Sequence, residues 1–446
     1  MLAIMAVETL KPNFVGGLAC QRDSFLSKGF KTTVLSCESS GKKNVYQVEL
    51  QDTILFPEGG GQPSDTGELI LGEAGRAIPV SQVTRKGLHA IHYVSEFVEP
   101  GTEVSVSVDW EQRMDYMQQH TGQHLVSAIL EREWDLQTLS WSMGGVPTDK
   151  KKTIELTDLF NYIELARKLT DNEIDRLSTF CNEYITKMPK EITVLERTPE
   201  THGEVNTSKI PDDYDLSAGI LRTIHIGEID SNPCCGTHLK STTQLGSILF
   251  SPAQSSVRGT NSRLYFMCGS RVAKYGKFAQ GLLNRTKGIL SCSEAQVPDK
   301  VEIQRDAIQK TTKREQYWMK VAASHEATRL FNSVKQNQKG FVAQDEFGGL
   351  DFLNQVYKDF NKSVSESGIK DYIVVLCGRE KQPNNGAVMV LSDSGETIAS
   401  TVSKLTEIIP KLRGGGGKKG GKWQGKVAEY GKNEWESLTT YLEVGL

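Results

Sequence analysis

Two pairs of metal-ligand residues constrain this chain more than any other feature: His120 with His124, and far downstream Cys234 with His238. Residues four apart in a helix lie one turn above each other on the same face, so two imidazoles at that spacing can grip one metal ion. The first pair falls in a predicted helix. Asp109 stands three residues before Gln112, as an N-cap with its box partner would, and Met114, Met117, Leu125 and Ile129 recur at helical spacing. Taken alone, such a pair is more often two packed or solvated side chains. Together the pairs supply nitrogen and sulfur donors of the kinds that suit zinc, weighed against two unrelated pairs. The chain must then fold so that a helix near residue 120 meets the loop Asn232-Pro-Cys-Cys-Gly-Thr-His238. Cys235 is the competing thiol, but only Cys234 stands four residues before His238. We therefore expect one zinc ion per chain, on His120, His124, Cys234 and His238.

A chain of 446 residues is too long for a single core, so roughly two to four domains are expected. With 38% hydrophobic and 24% charged residues the composition is that of an ordinary soluble protein, and the net charge of -3 confines any nucleic-acid surface to a local patch. Eight scattered cysteines suggest reduced thiols rather than a disulfide framework. The start, Met1 to Ala6, is only briefly apolar and has no basic flank, so neither a signal peptide nor a membrane span is expected and the cytoplasm is the default. Met5 is an alternative start.

The expected fold class is α+β. Residues 1–19 read as a loose extension. From 20 to 109 short alternating strands around Thr33, Tyr46 to Leu50, Ile78, Leu88 to Val94 and Val104 to Val108 predict a small β-barrel. His89 and His92 sit three apart in one strand, on opposite faces, and are taken as structural or surface residues. The loop Phe56-Pro-Glu-Gly-Gly-Gly-Gln62 lets a backbone approach a ligand, with Glu58 and Gln62 as polar groups, and reads equally well as a tight strand connection.

From 110 to 273 helix alternates with strand. A loop is expected over Met143 to Thr148 and a strand over Thr153 to Leu156. Thr170 and Glu173 form a capping box for a helix burying Ile174, Leu177, Cys181 and Ile185, and strands follow near Ile192 and Ile220. His225, flanked by isoleucines, reads as structural. Residues 274–340 look helical and charged, a spacer broken at Ser291 and Pro298. Residues 341–446 predict a small α/β module whose last helix runs into a mobile, basic, glycine-rich loop. Lys411, Arg413, Lys418, Lys419 and Lys422 there, with Trp423, suit a phosphate backbone and a stacked base; the alternative is a solvated flexible loop.

His120-Thr-Gly-Gln-His124, Cys234-Cys-Gly-Thr-His238, Phe56-Pro-Glu-Gly-Gly-Gly-Gln62 and the terminal glycine-rich segment together resemble the alanyl-tRNA editing proteins of the long AlaX type. These are free-standing relatives of the editing and C-terminal domains of alanyl-tRNA synthetase, and the resemblance runs from about Cys20 to the C-terminus. It implies hydrolysis of seryl-tRNA(Ala), with glycyl-tRNA(Ala) as a second substrate, at a zinc site. Thr53 matches a threonine the family implicates in recognising serine, and Glu58, Gln62 and Gln123 fall in the motifs around the site. Cys235 stands where synthetase relatives usually have Gly. A separate editing site has a physical rationale, because a pocket built for alanine cannot exclude glycine and rejects an added hydroxyl poorly. The rival reading is a tRNA-binding protein in which zinc is only structural. A zinc peptidase is disfavoured because Thr121 follows His120 where that motif has a glutamate base.

Overall fold

Alternating inward and outward residues close a barrel before the histidine helix begins. The computed structural model describes residues 11–72, 75–146, 153–201 and 214–446. After a short helix α1 (Ala19–Arg22) come β1 (Phe30–Ser39), β2 (Tyr46–Leu50), β3 (Gly67–Leu71), β4 (Arg76–Lys86), β5 (His89–Val94) and β6 (Glu103–Val108), joined in the order β1-β2-β5-β4-β3-β6 with β1 and β6 closing the ring. Val104, Val106 and Val108 point into the core and the serines between them do not, which is the period of two a barrel wall requires. Strand β3 has no counterpart in the sequence reading: Leu69, Ile70 and Leu71 run together and hide the alternation. The extension is not loose where it is described, since Val15, Leu18 and Ala19 are buried in the barrel core. Residues 1–10, including Met5, lie outside the described residues.

Helix α2 (Trp110–Trp134) follows directly, with the Asp109 carboxylate accepting from the Gln112 backbone at 3.2 Å. It is buried along most of its length and carries polar groups inward: Arg113, Gln119, His120, Thr121, Gln123 and His124. A fully buried ion pair between Arg113 and Asp65 fastens it to the segment after the glycine loop.

Around α2 lie β7 (Ser140–Ser142), β8 (Asn161–Leu165), α3 (Asp171–Thr186), β9 (Ile192–Arg197), β10 (Leu221–Ile226), β11 (Asp230–Pro233), β12 (Ile248–Ser256) and β13 (Ser262–Cys268). They form sheets in the orders β12-β13-β8-β7 and β11-β10-β9. Helix α3 opens on the expected box, with Thr170 and Glu173 bonding each other's backbone. The strand expected over Thr153 to Leu156 is absent. Leu156–Leu159 is a 3-10 turn and the strand is β8, where Asn161, Ile163 and Leu165 alternate inward. Of the Met143 to Thr148 loop, Pro147 and Thr148 lie outside the described residues. Close approach of α2 to β13 depends on Gly122, where a Cβ would stand 2.2 Å from the Cys268 sulfur.

The chain divides into two compact units, residues 1–285 and 286–446, and helix α4 (Ser270–Leu290) runs across that boundary. In the second unit Pro298 sits in the first turn of α5 (Val297–Asn337) and starts the helix rather than breaking it. The expected spacer is only partly one: Ala323, Ala327, Leu330 and Val334 of α5 are core residues of the C-terminal module. That module has β14 (Lys339–Gln344), α6 (Leu350–Ser367), β15 (Ile373–Glu380), β16 (Asn385–Ser392), α7 (Gly395–Ile408), β17 (Leu412–Gly416), β18 (Gly421–Val427) and α8 (Glu434–Val444). Its sheet runs β14-β15-β16-β18-β17, with α5 and α6 packed in one core cluster and α7 and α8 in another. The basic glycine-rich segment is therefore a paired hairpin, not a mobile loop, because glycines tolerate the ladder when a neighbouring strand satisfies their backbone. Trp423 is 8% exposed and packs in the α7–α8 core, so it is not free to stack on a base.

Candidate metal centre

Both ligand pairs converge. One donor atom from each of His120, His124, Cys234 and His238 lies within 4.8 Å of every other. The Cys234 sulfur is 3.4 Å from Nε2 of His120 and 3.4 Å from Nε2 of His238. Every imidazole is held from behind through Nδ1: His120 by the Gln62 Oε1 at 2.9 Å, His124 by the Asp230 carboxylate at 2.8 Å, His238 by the Thr121 hydroxyl at 3.2 Å. That pattern leaves Nε2 as the nitrogen turned to the centre, and it is how metal-binding histidines are usually oriented. Three imidazoles and one thiol fit zinc by donor type and number.

The electrostatics of Cys234 and His238 favour the same assignment. Burial works against a Cys234 thiolate, yet the adjacent His120 and His238 outweigh it and hold that thiol well below its usual range. Burial also opposes charge on His124, but its hydrogen bond to Asp230 raises it to about 10, whereas burial takes His238 down to about 3. A metal ion bound there would have to displace the proton on His124. Burial, with the neighbouring Cys234 charge, pushes the Cys235 thiol up to about 12.

The loop carrying Cys234 is fixed by Arg222, which the sequence reading missed. Its buried guanidinium donates to the carbonyls of Cys235 (2.9 Å), Gly236 (2.8 Å) and Gln21 (2.8 Å), and Gln21 Nε2 donates to the Cys235 carbonyl at 2.7 Å. Gly236 must be glycine: a Cβ there would stand 2.3 Å from Cε1 of His120. Trp141, also unforeseen, lies stacked on His120 with ring centres 5.0 Å apart. Nothing in the sequence singles out Asp230, Arg222 or Trp141, because each acts through a partner distant in the chain.

A cavity of about 830 Å³ opens onto this cluster, lined by His120, His124 and Cys234 with Glu58, Gln123 and Trp141 among others. Its volume is that of a typical small-molecule site. Of the residues picked from the family motifs, Glu58 and Gln123 line the cavity, and Gln62 instead supports His120 while donating to the Thr237 hydroxyl at 2.7 Å. Thr53 is placed differently from expectation. It is 1% exposed and outside the cavity lining, and its Oγ1 is taken up by His92 Nε2 (2.9 Å) and the Leu55 amide (3.0 Å). His92 is buried, His89 pairs with Glu49 at 2.6 Å, and neither belongs to the cluster.

In the second unit the five basic residues do not act as one loop. Lys418 and Lys419 occupy the turn of the β17–β18 hairpin. Arg413 is the register partner of Lys426. Lys411 and Arg413 line a smaller cavity of about 440 Å³ with Lys426. Lys411 pairs with Glu429 at 3.2 Å, and Lys422 lies 4.8 Å over the Tyr357 ring. Among the described residues no helix is long and apolar enough to cross a membrane.

Residues 221–265 match the family model described as the threonyl and alanyl tRNA synthetase second additional domain. Over 97% of its length the chain is 53% identical to a Saccharomyces cerevisiae protein named as a candidate alanyl-tRNA editing protein, alaX, covering 98% of that protein. It is 31% identical to the alanyl-tRNA editing protein Aarsd1 of Danio rerio, covering 92% of this chain and 93% of the relative. Similarity to the alanine–tRNA ligase of Pyrococcus furiosus, at 26% identity, covers 82% of this chain but only 38% of the ligase. With near full-length identity of this order, the chain belongs to the alanyl-tRNA editing protein family.

Proposed function

We propose that this protein is a trans-editing hydrolase that cleaves the aminoacyl ester of mischarged tRNA(Ala), releasing serine, or glycine as a second substrate, and intact tRNA. One observation carries the reading: three imidazoles and a thiol converge in a member of the editing family, and His120, His124 and Cys234 of that cluster line a cavity of about 830 Å³. His120, His124, Cys234 and His238 would hold one zinc ion per chain, which when bound supplies Lewis acidity for ester hydrolysis. Glu58, exposed on the lining of the same cavity, is the proposed base that takes a proton from an attacking water. Gln123 presents an amide on the same wall to orient the ester, and Gln62 keeps His120 turned inward through Nδ1. The side-chain hydroxyl of serine is then read by a cavity-lining polar group, since the Thr53 hydroxyl is buried and engaged.

Lys411, Arg413, Lys418, Lys419 and Lys422 are the proposed tRNA-backbone contacts, acting by charge rather than by chemistry. The eight cysteines are all free, which suits work in the reducing cytoplasm. A second reading has one specific point in its favour: four protein ligands already complete a tetrahedral set, as structural zinc sites do. Deacylation assays with seryl-, glycyl- and alanyl-tRNA(Ala) separate the two. Release of serine that disappears in His120→Ala supports editing, and tRNA binding without release of any amino acid supports the structural site.

A further inference from the structure

The adjacent thiol, Cys235, has no part in the ligand set, yet it lines the same cavity. Its sulfur packs against the glycine loop: a Cβ on Gly59 or on Gly60 would stand 3.2 Å from it. That same point above Gly60 lies 4.0 Å from Cε1 of His120, so the thiol and an imidazole of the cluster border one narrow gap, in which a further carbon would already press on the sulfur. The wall is stiff as well as close. The backbone carbonyl of Cys235 is held twice, by Arg222 at 2.9 Å and by Gln21 at 2.7 Å, and the residue before it is anchored among the histidines. A barrier that selects by size works only if it cannot move aside, and on the other side of the gap Gly59 and Gln62 exchange backbone hydrogen bonds of 3.0 Å, so both sides are held.

We propose that the Cys235 side chain sets the size limit of the aminoacyl subsite, admitting the side chains of glycine and serine and turning away those with one further methyl group, such as threonine. This rests on the editing reading, because only an aminoacyl ester places an amino-acid side chain next to the metal ligands. The physical scale is modest: one methyl group in a close-fitting pocket is worth roughly 10- to 200-fold in selectivity. A thiol suits the role because it is small and unbranched, and so adds bulk to the wall of the cavity.

The test uses the full chain and three variants, Cys235→Gly, Cys235→Ala and Cys235→Ser, each checked for zinc content. Two measurements are made: kcat/KM for release of glycine, serine and threonine from tRNA(Ala) charged with each, and affinity for non-hydrolysable 3'-aminoacylamido-adenosine analogues of the three. Cys235→Gly and Cys235→Ala should raise threonine relative to serine about tenfold or more in both measurements, while Cys235→Ser, of nearly equal size, keeps the native ratio. An unchanged threonine-to-serine ratio in Cys235→Ala with zinc retained overturns the proposal. Should Cys235→Gly lose zinc, Cys235→Ala decides alone, since it keeps a Cβ and an ordinary backbone. If the native protein releases none of the three amino acids and binds none of the analogues, the editing reading itself fails. If it releases serine but the ratios do not move, only the role of Cys235 is lost.

Discussion

Arg113 and Asp65 join the histidine helix to the end of the glycine loop through an ion pair from which water is excluded. Arg113 Nε lies 3.0 and 2.9 Å from the two Asp65 oxygens, and the same guanidinium donates to the carbonyls of Ser24 at 2.9 Å and Ile54 at 2.6 Å. Asp65 in turn accepts from the Phe56 amide at 2.6 Å. Removing one partner strands the other charge in the core. Asp65→Ala is expected to cost about 3–5 kcal/mol of stability, measured by urea unfolding. A loss under about 1 kcal/mol would mean that water reaches the orphaned guanidinium.

Asp230 should matter to the metal rather than to the fold. It holds Nδ1 of His124 at 2.8 Å and itself accepts from Asn232 at 2.5 Å. Asp230→Asn keeps the shape but removes the charge that orients the ring, and zinc affinity should fall roughly 10- to 100-fold in chelator competition. An unaltered affinity would show that the ring is held in place by packing alone.

His92 makes stability depend on acidity. Burial lowers its pKa from 6.5 to about 4, with the Val48 carbonyl only partly offsetting that. The folded protein keeps the ring neutral where the unfolded chain takes up a proton, so the unfolded state binds more protons between those two values. The contribution of His92 is therefore complete above pH 6.5 and declines as pH falls toward 4, by about 3 kcal/mol in all. Urea midpoints at pH 7, 6 and 5 should fall less steeply in His92→Gln than in the native protein; parallel curves would refute the assignment.

The partner of His92 provides a related test. Thr53→Val removes a hydroxyl that bonds both the His92 ring and the Leu55 amide, leaving buried polar groups unpaired. The expected loss is about 1–3 kcal/mol. Because the hydroxyl lies outside the cavity lining, the ratio of kcat/KM for seryl- and glycyl-tRNA(Ala) should hold; a ratio that moves toward glycine would bring Thr53 into contact with serine after all.

For the second unit, Lys418→Gln with Lys419→Gln should weaken tRNA binding more at low salt than at high. If both lysines meet phosphates, the slope of log affinity against log salt should shrink by roughly 0.7–0.9 per residue. An unchanged slope would assign the contacts to Lys411 and Arg413 at the smaller cavity.

Local patterns in the sequence carried the helix, its cap and the ligand quartet, because each depends on spacings of three or four residues. The Thr170–Glu173 box and the strand period of Val104 to Val108 were legible for the same reason. What escaped was set by distant contacts. Asp230 is one acidic residue in a polar stretch until His124 stands beside it, and Arg222 is an ordinary strand arginine until three carbonyls turn toward it. The Thr153 to Leu156 stretch has strand-like residues but no neighbour to pair with, whereas Asn161–Leu165 lies against β13. Glycines at 414 to 417 signalled flexibility to a local reading, yet pairing of Gly414, Gly415 and Gly416 with β18 gives that backbone a ladder.

His120 and Cys234 touch although 114 positions separate them in the chain. Closing so large a loop has an entropic cost that local structure does not repay. The four-residue cluster is thus expected to form late in folding, since neither the histidine helix nor the 221–265 segment can assemble it alone. Metal capture, followed in time during refolding, would report the moment at which the first unit has acquired its native topology.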